Sequence, residues 1–259
     1  MMLKSFNDFD SPLIHHITNY VSANESATAC LAVGGNPIMA DDVADAPYFT
    51  KKAKALVLNM GIFSASKEKA MILCDKIATE RGIPIVLDAV AIDISERRMK
   101  TFRMLMKRKK NKLVKMNRYE FDELLRLSDL YKYDYKLREQ LVCALARKYG
   151  VTIVVTGKRD IISDGTKTIS LNNGTELLNK RTAVGGMVST LIATMATYEK
   201  DLTEAAVWGL SLINCASEIA EQKMEEEGGG MSSFNTYLID EIYNMDMERL
   251  KKLIKRTDH

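Results

Sequence analysis

Histidine is scarce in this chain: only His15, His16 and His259 occur in 259 residues. That leaves little material for a zinc centre of His and Cys ligands, or for a Ser-His-Asp triad. Cysteine is equally thin. Cys30, Cys74, Cys143 and Cys215 lie far apart in apolar settings, which suggests packed, reduced thiols and a cytoplasmic setting rather than a disulfide frame. No apolar run reaches the length of a membrane span. The opening Met-Met-Leu-Lys-Ser-Phe-Asn-Asp-Phe-Asp has no apolar stretch of the signal-peptide kind, so no membrane partner is expected. Net charge is only +3, too small to argue for nucleic acid. Lys107-Arg-Lys-Lys110 is basic, but it closes an amphipathic segment where cations suit the helix dipole, and no aromatics interleave with it.

Several catalytic signatures are missing too. A Walker A loop needs Gly, four residues, then Gly-Lys-Ser/Thr. Thr156-Gly157-Lys158 is the only echo, with Thr152 in place of the first Gly and Arg159 after the lysine. Neither the Gly-x-Gly-x-x-Gly fingerprint nor a Gly-x-Ser-x-Gly elbow occurs.

What remains is an ordinary globular composition, 46% hydrophobic and 27% charged, with a clear order of elements. A short extended segment from Leu13 leads into a helix over Thr18 to Val33, closed by Gly34-Gly35. Asn36-Pro-Ile-Met-Ala40 reads as a short edge strand or a pocket wall ending in Met39. Buried strands are expected at Ala55–Gly61, Pro84–Val90, Lys112–Asn117 and Val151–Gly157. Between them fall helices at Lys67–Arg81, Ser95 to about Lys110, one starting near Glu120, and Leu137–Tyr149. Asp164-Gly165 marks a hairpin and Asn173-Gly174 a further turn. Three helical segments follow: about Leu202–Glu226, Ser232–Asn244 and a short charged tail. Strand and helix alternate four times with short turns, which implies an α/β fold: one mostly parallel sheet with helices on both faces, in a single domain over 1–259.

In such sheets ligands bind beyond the C-terminal strand ends. Asn59, Gly61, Asp88, Asn117, Glu120, Thr156 and Gly157 all fall there. Arg181 to Ala196 adds a run of small and apolar residues, uncharged after Arg181, that reads as a buried helix opened by Gly185-Gly186. Its first N–H groups and positive dipole end form a natural anion site. The plainer alternative is a Gly-Gly turn entering a core helix. Asp88 and Glu120 could hold Mg²⁺, and Lys115 and Thr156 could meet a nucleotide. Together these describe phosphoryl transfer without a P-loop. Singly, the two acids also read as helix N-terminal charges, and Thr156 as a strand-end hydrogen bonder.

These residues carry a resemblance. His15-His-Ile-Thr-Asn-Tyr-Val21, Asn36-Pro-Ile-Met39, Leu56-Val-Leu-Asn-Met-Gly61, Pro84-Ile-Val-Leu-Asp88, Asn117-x-x-Glu120, Val155-Thr-Gly-x-x-Asp160 and Gly230-Met-Ser-Ser-Phe234 follow in the order seen in hydroxyethylthiazole kinases. The chain resembles that thiamine-salvage family, of the ribokinase-like superfamily, from His15 to about Met245. The resemblance implies a three-layer ribokinase-like fold and ATP-dependent phosphorylation of the hydroxyl of 5-(2-hydroxyethyl)-4-methylthiazole. It implies Mg²⁺ at Asp88 and Glu120, and ATP at Lys115, Asn117 and Thr156. Substrate contacts would fall at Asn19, Met39, Gly61 and Gly185, in a homotrimer with active sites between subunits.

The departures fall on the chemistry. The family's phosphate loop reads Thr-Gly-Thr-Gly-Cys-Met; here it is Thr182-Ala-Val-Gly-Gly-Met187. Gly186 stands where a Cys or Asp activates the hydroxyl, a loss of about 10²–10⁴ in rate for a general base. Ala89-Val-Ala91 replaces Pro-Val-Gly, Met116 replaces Gly, and Lys115 replaces Arg. The expectations are therefore a kinase weakened by the missing base, a homologue that binds thiazole or nucleotide without efficient turnover, or a kinase of another small alcohol with Asp93 or Asp160 as base.

Overall fold

Runs such as Ala55-Leu-Val-Leu and Ile85-Val-Leu offer no polar side to water, so they need cover on both faces. The computed structural model, which describes residues 10–128, 130 and 138–259, supplies it. Strands β1 (Leu13–Ile17), β2 (Asn36–Met39), β3 (Ala55–Asn59), β4 (Ile85–Asp88), β5 (Lys112–Asn117) and β6 (Thr152–Thr156) run parallel. The hairpin β7 (Asp160–Ser163) and β8 (Thr168–Leu171) continues the sheet antiparallel, and β9 (Arg256–Asp258) closes it. The order is β2-β1-β3-β4-β5-β6-β7-β8-β9.

Side-chain alternation along each strand sorts the core in two. Val57, Val86, Leu113 and Val154 pack under α1 (Tyr20–Ala32), α7 (Val184–Met195), α8 (Leu202–Glu226), α9 (Met231–Asn244) and α10 (Met247–Leu253). Their neighbours Leu56, Leu58, Leu87, Val114 and Val155 face α2 (Ala46–Thr50), α3 (Ala65–Arg81), α4 (Glu96–Leu105), α5 (Arg118–Leu127) and α6 (Arg138–Tyr149). The expected α/β sheet with helices on both faces is what forms. No helix among the described residues is long and apolar enough to cross a membrane.

The differences from expectation lie at element ends. α1 starts at Tyr20, not Thr18, because the Asn19 side chain accepts the Ser22 N–H at 3.1 Å and caps the helix. α3 begins at Ala65 behind its Ser64 cap and ends, as expected, at Gly82 with φ +70°. α4 stops at Leu105, so the basic run lies in the turn before β5 rather than in the helix. α2 is a short helix that no periodicity announces. The charged tail folds as the expected helix, α10, and then adds an edge strand that was not expected, β9. The expected helix start at Leu137, and the opening residues 1–9, lie outside the described residues.

The scarce histidines are structural. His16 is wholly buried between its own strand and α7; its Nδ1 donates to the Ile14 carbonyl at 3.0 Å and its Nε2 meets the Thr190 hydroxyl at 3.1 Å. Burial, then the neighbouring His15, lowers its pKa to about 4. An unfolded imidazole with the ordinary value of 6.5 takes a proton that the folded one refuses. Stability from this group is therefore complete above pH 6.5 and is lost as pH falls toward 4, on the order of 3 kcal/mol. Urea midpoints measured from pH 7 to 4 should fall less steeply in His16→Gln than in the wild type; equal slopes would contradict this account.

Candidate active site

The alternation that buries Val57, Val86 and Leu113 turns Asn59, Asp88 and Lys115 to the same face, two residues on. Strand register sets Asn59 beside Asp88 and Asp88 beside Lys115. The three side chains form a bonded row. Lys115 Nζ lies 2.8 Å from Asp88 Oδ1, and Asn59 Nδ2 donates to Asp88 Oδ2 at 2.9 Å. Asn59 Oδ1 in turn accepts Asn19 Nδ2 at 2.9 Å and the Gly61 N–H at 2.9 Å. A Cβ on Gly61 would stand 2.6 Å from Asn19 Nδ2, so the loop after β3 can pass there only as glycine. Arg98, from α4, donates to the carbonyls of Met60, Gly61 and Val90 and ties that loop to the one after β4.

α7 points its N-terminus at this row. Ala183 precedes it at φ +68°, a left-handed conformation that favours glycine. Ala91, in the loop after β4, is likewise left-handed at φ +52°. Both stand where the resemblance puts Gly, the residue that adopts this backbone freely. Among the described residues no side chain caps α7, and Ala183, Val184, Gly185 and Gly186 line the cleft with its first turn. Gly185 O accepts Lys115 Nζ at 3.2 Å and Ser189 Oγ at 3.0 Å, and Ser189 Oγ also lies 3.1 Å from Asp88 Oδ2. A Cβ on Gly185 would come within 3.0 Å of Lys115 Nζ. A Cβ on Gly186 would point elsewhere, into α1, 2.7 Å from Ser22 Cβ and 2.9 Å from Ser26 Oγ. Space for a side chain at Gly186 is therefore closed by helix packing.

Glu120 forms a capping box with Asn117: its carboxylate accepts the Asn117 N–H at 2.8 Å, and the Asn117 side chain accepts the Glu120 N–H at 2.9 Å. Its other oxygen accepts the Ala91 N–H at 3.2 Å. Burial, and then the negative Asp88 nearby, push the Glu120 carboxyl up, against the pull of those N–H bonds. Asp160 is held by the Gly157 N–H at 3.0 Å and by Asn214 of α8 at 2.7 Å, and burial raises it to about 6. It shapes the turn after Thr156.

One cleft of about 1040 Å³ joins these parts. It is lined by Asn19, Gly61, Asp88, Lys115, Asn117, Glu120, Thr156, Gly185 and Gly186, nine of the ten residues to which the resemblance gives a catalytic, substrate, nucleotide or metal role, and also by Asn59 and Gly157. Met39 is not among them: it sits 37% exposed on β2, beside His16. Of the two substitute bases, Asp93 lies outside the cleft, and Asp160 is inside but committed to Gly157 and Asn214. Ser189 and Arg98 went unnoticed in the sequence. Ser189 had a signal, since it follows Gly185 by four residues and so shares its helix face; Arg98 had none.

Two buried acids that feel each other's charge across a cleft, with few other ligands, suit a hard cation that shares its shell with phosphate oxygens and water. Mg²⁺ fits Asp88 and Glu120 on that ground, and the amides of α7 suit an anion.

The Hydroxyethylthiazole kinase family model matches residues 3–248. The chain belongs to the hydroxyethylthiazole kinase family. It is 33% identical over 248 residues to the hydroxyethylthiazole kinase of Alkaliphilus oremlandii, covering 93% of this chain and 91% of that one. The solved hydroxyethylthiazole kinase protein of Pyrococcus horikoshii superposes with a TM-score of 0.85 at 30% identity, over 96% of this chain and 94% of that one. A Bacillus subtilis NAD(P)H-hydrate dehydratase crystallised with ATP/Mg²⁺ shares the fold at 15% identity, with a TM-score of 0.60 over 97% of this chain and 94% of that one. Membership places the chain among the phosphotransferases of the ribokinase-like fold.

The left-handed alanine predicts that Ala183→Gly stabilises the protein by about 1 kcal/mol, read as a rise in Tm of about 2–4 °C. The closed position predicts that Gly186→Cys alone destabilises by about 1–3 kcal/mol, because the new Cβ meets α1. Adding Ser22→Gly should recover part of that loss; additive effects of the two changes would show that the sites do not touch.

Proposed function

We propose that this chain, acting as one kinase domain, transfers the γ-phosphoryl group of ATP to the hydroxyl of 5-(2-hydroxyethyl)-4-methylthiazole. The observation that carries the reading is the Asn59–Asp88–Lys115 row beneath the uncapped start of α7. Thr156, Asn117 and Lys115 take the nucleotide, and Asp88 and Glu120 would hold Mg²⁺, which would neutralise phosphate charge. Asn19, Gly61 and Gly185 border the opposite side, where the alcohol fits. Lys115 and the α7 amides favour the charge that develops on the transferring group. The cleft orients the hydroxyl, and positioning of this kind supplies a large share of phosphoryl-transfer rates.

Met39 takes part only if another copy of the chain covers it. Tyr20 and Val21, at the start of α1, are 79% and 61% exposed, and they support burial of this rim in a homotrimer. Four free cysteines support a reducing, cytoplasmic setting for thiamine salvage.

A second reading is supported by Gly186. With no side chain there and Ser22 and Ser26 packed against it, the hydroxyl lacks a positioned base. The reaction is then slow, or the protein binds thiazole and nucleotide without efficient turnover.

ATP-dependent phosphorylation of hydroxyethylthiazole by the purified protein should exceed a no-enzyme control and drop about 10²-fold or more in Asp88→Asn. Turnover equal to the control, with both ligands still binding in calorimetry, would establish the second reading instead.

A further inference from the structure

We propose that Lys115 is an internal counter-ion that keeps the divalent metal off Asp88 until a nucleotide arrives. This inference rests on the kinase reading of the cleft. Each Asp88 oxygen already has partners. Oδ1 takes Lys115 Nζ at 2.8 Å, and Oδ2 takes Asn59 Nδ2 at 2.9 Å and Ser189 Oγ at 3.1 Å. Asp88 is 1% exposed and Lys115 4%, so water screens the pair little. A hard divalent ion must come within about 2.1 Å of a carboxylate oxygen to coordinate it directly. With the ammonium on that oxygen, two positive groups would compete for one negative one, and the lysine is already in place.

Phosphate changes the balance. Lys115 Nζ also bonds Gly185 O, and it lies 3.0 Å from where a side chain on Gly185 would begin, at the mouth of the α7 anion site. A phosphate seated on the α7 amides gives the ammonium a second anion within reach of its flexible stem. Once the ammonium shifts to phosphate, Asp88 Oδ1 is free, and Asp88 would hold the divalent ion that accompanies the nucleotide. Binding is therefore ordered: metal and nucleotide enter together, and metal alone is excluded. A guanidinium at this position, as in the family pattern, is planar and spreads its charge over a fork, so it fits a single carboxylate oxygen less tightly than a compact ammonium.

The test uses Mn²⁺ as a paramagnetic probe, titrated without nucleotide into the full chain. Wild type should bind it weakly. Lys115→Met and Lys115→Gln should each bind at least tenfold tighter, and the gain should vanish when Asp88→Asn is added. Lys115→Gln retains a donor for Asp88 Oδ1 and Gly185 O, which guards the fold. Variants that refold only with millimolar Mg²⁺ would support the proposal equally, because the metal then replaces the ammonium. Equal Mn²⁺ affinity in wild type and variants overturns it, as does failure to fold at every Mg²⁺ concentration. Calorimetry with a non-hydrolysable ATP analogue reports separately on the kinase reading: no nucleotide binding would sink that reading, while the Mn²⁺ series would still decide the role of the lysine.

Discussion

The carboxylate of Asp88 is almost wholly cut off from water, and a charged acid in such a place needs compensation worth several kcal/mol. Lys115 supplies the opposite charge at Oδ1, and Asn59 and Ser189 both serve Oδ2. Each partner comes from a different element: β5, β3 and α7. Asn59 is itself held by Asn19, the residue that caps α1. One acid thus ties the middle of the sheet to both helices that form the floor of the cleft. Removing any partner would leave a buried polar group unsatisfied, so the geometry of the site and the stability of the core are the same problem.

Much of this was legible in the sequence because it follows from alternation. Apolar runs ending in Asn59, Asp88, Asn117 and Thr156 could only be parallel strands with their polar residues at one rim, and that rim is where the cleft forms. The uncharged stretch after Arg181 could only be a buried helix, and it is. The three-residue β9 was hidden because so short a strand carries no periodicity. Asn36–Met39 forms the edge strand that was one of its two readings, and one chain by itself leaves Met39 exposed there. The most consequential miss concerns Gly186. The motif says that a side chain is absent; it cannot say that the space has been taken by Ser22 and Ser26 of a helix some 160 residues earlier in the chain.

Ala91 and Ala183 carry a related lesson. Both adopt left-handed backbone without the residue that does so freely. The surroundings over-determine the two turns: Ala91 donates its N–H to Glu120, and Ala183 O accepts the Met187 N–H at 3.0 Å within α7. The turns are held from outside, so a modest local strain persists in the very loops that meet the ligand.

The parity of the strands has one more consequence. Asn59, Asp88 and Lys115 share a face with Val57, Val86 and Leu113 because they lie an even number of residues away. A slip of one residue in any of these strands would turn the polar group toward α3 to α6 and expose the wrong apolar set to α7. Errors of that kind are caught by the packing itself, before chemistry is ever attempted. A chain of this sequence that reaches its folded state has therefore also assembled its polar row.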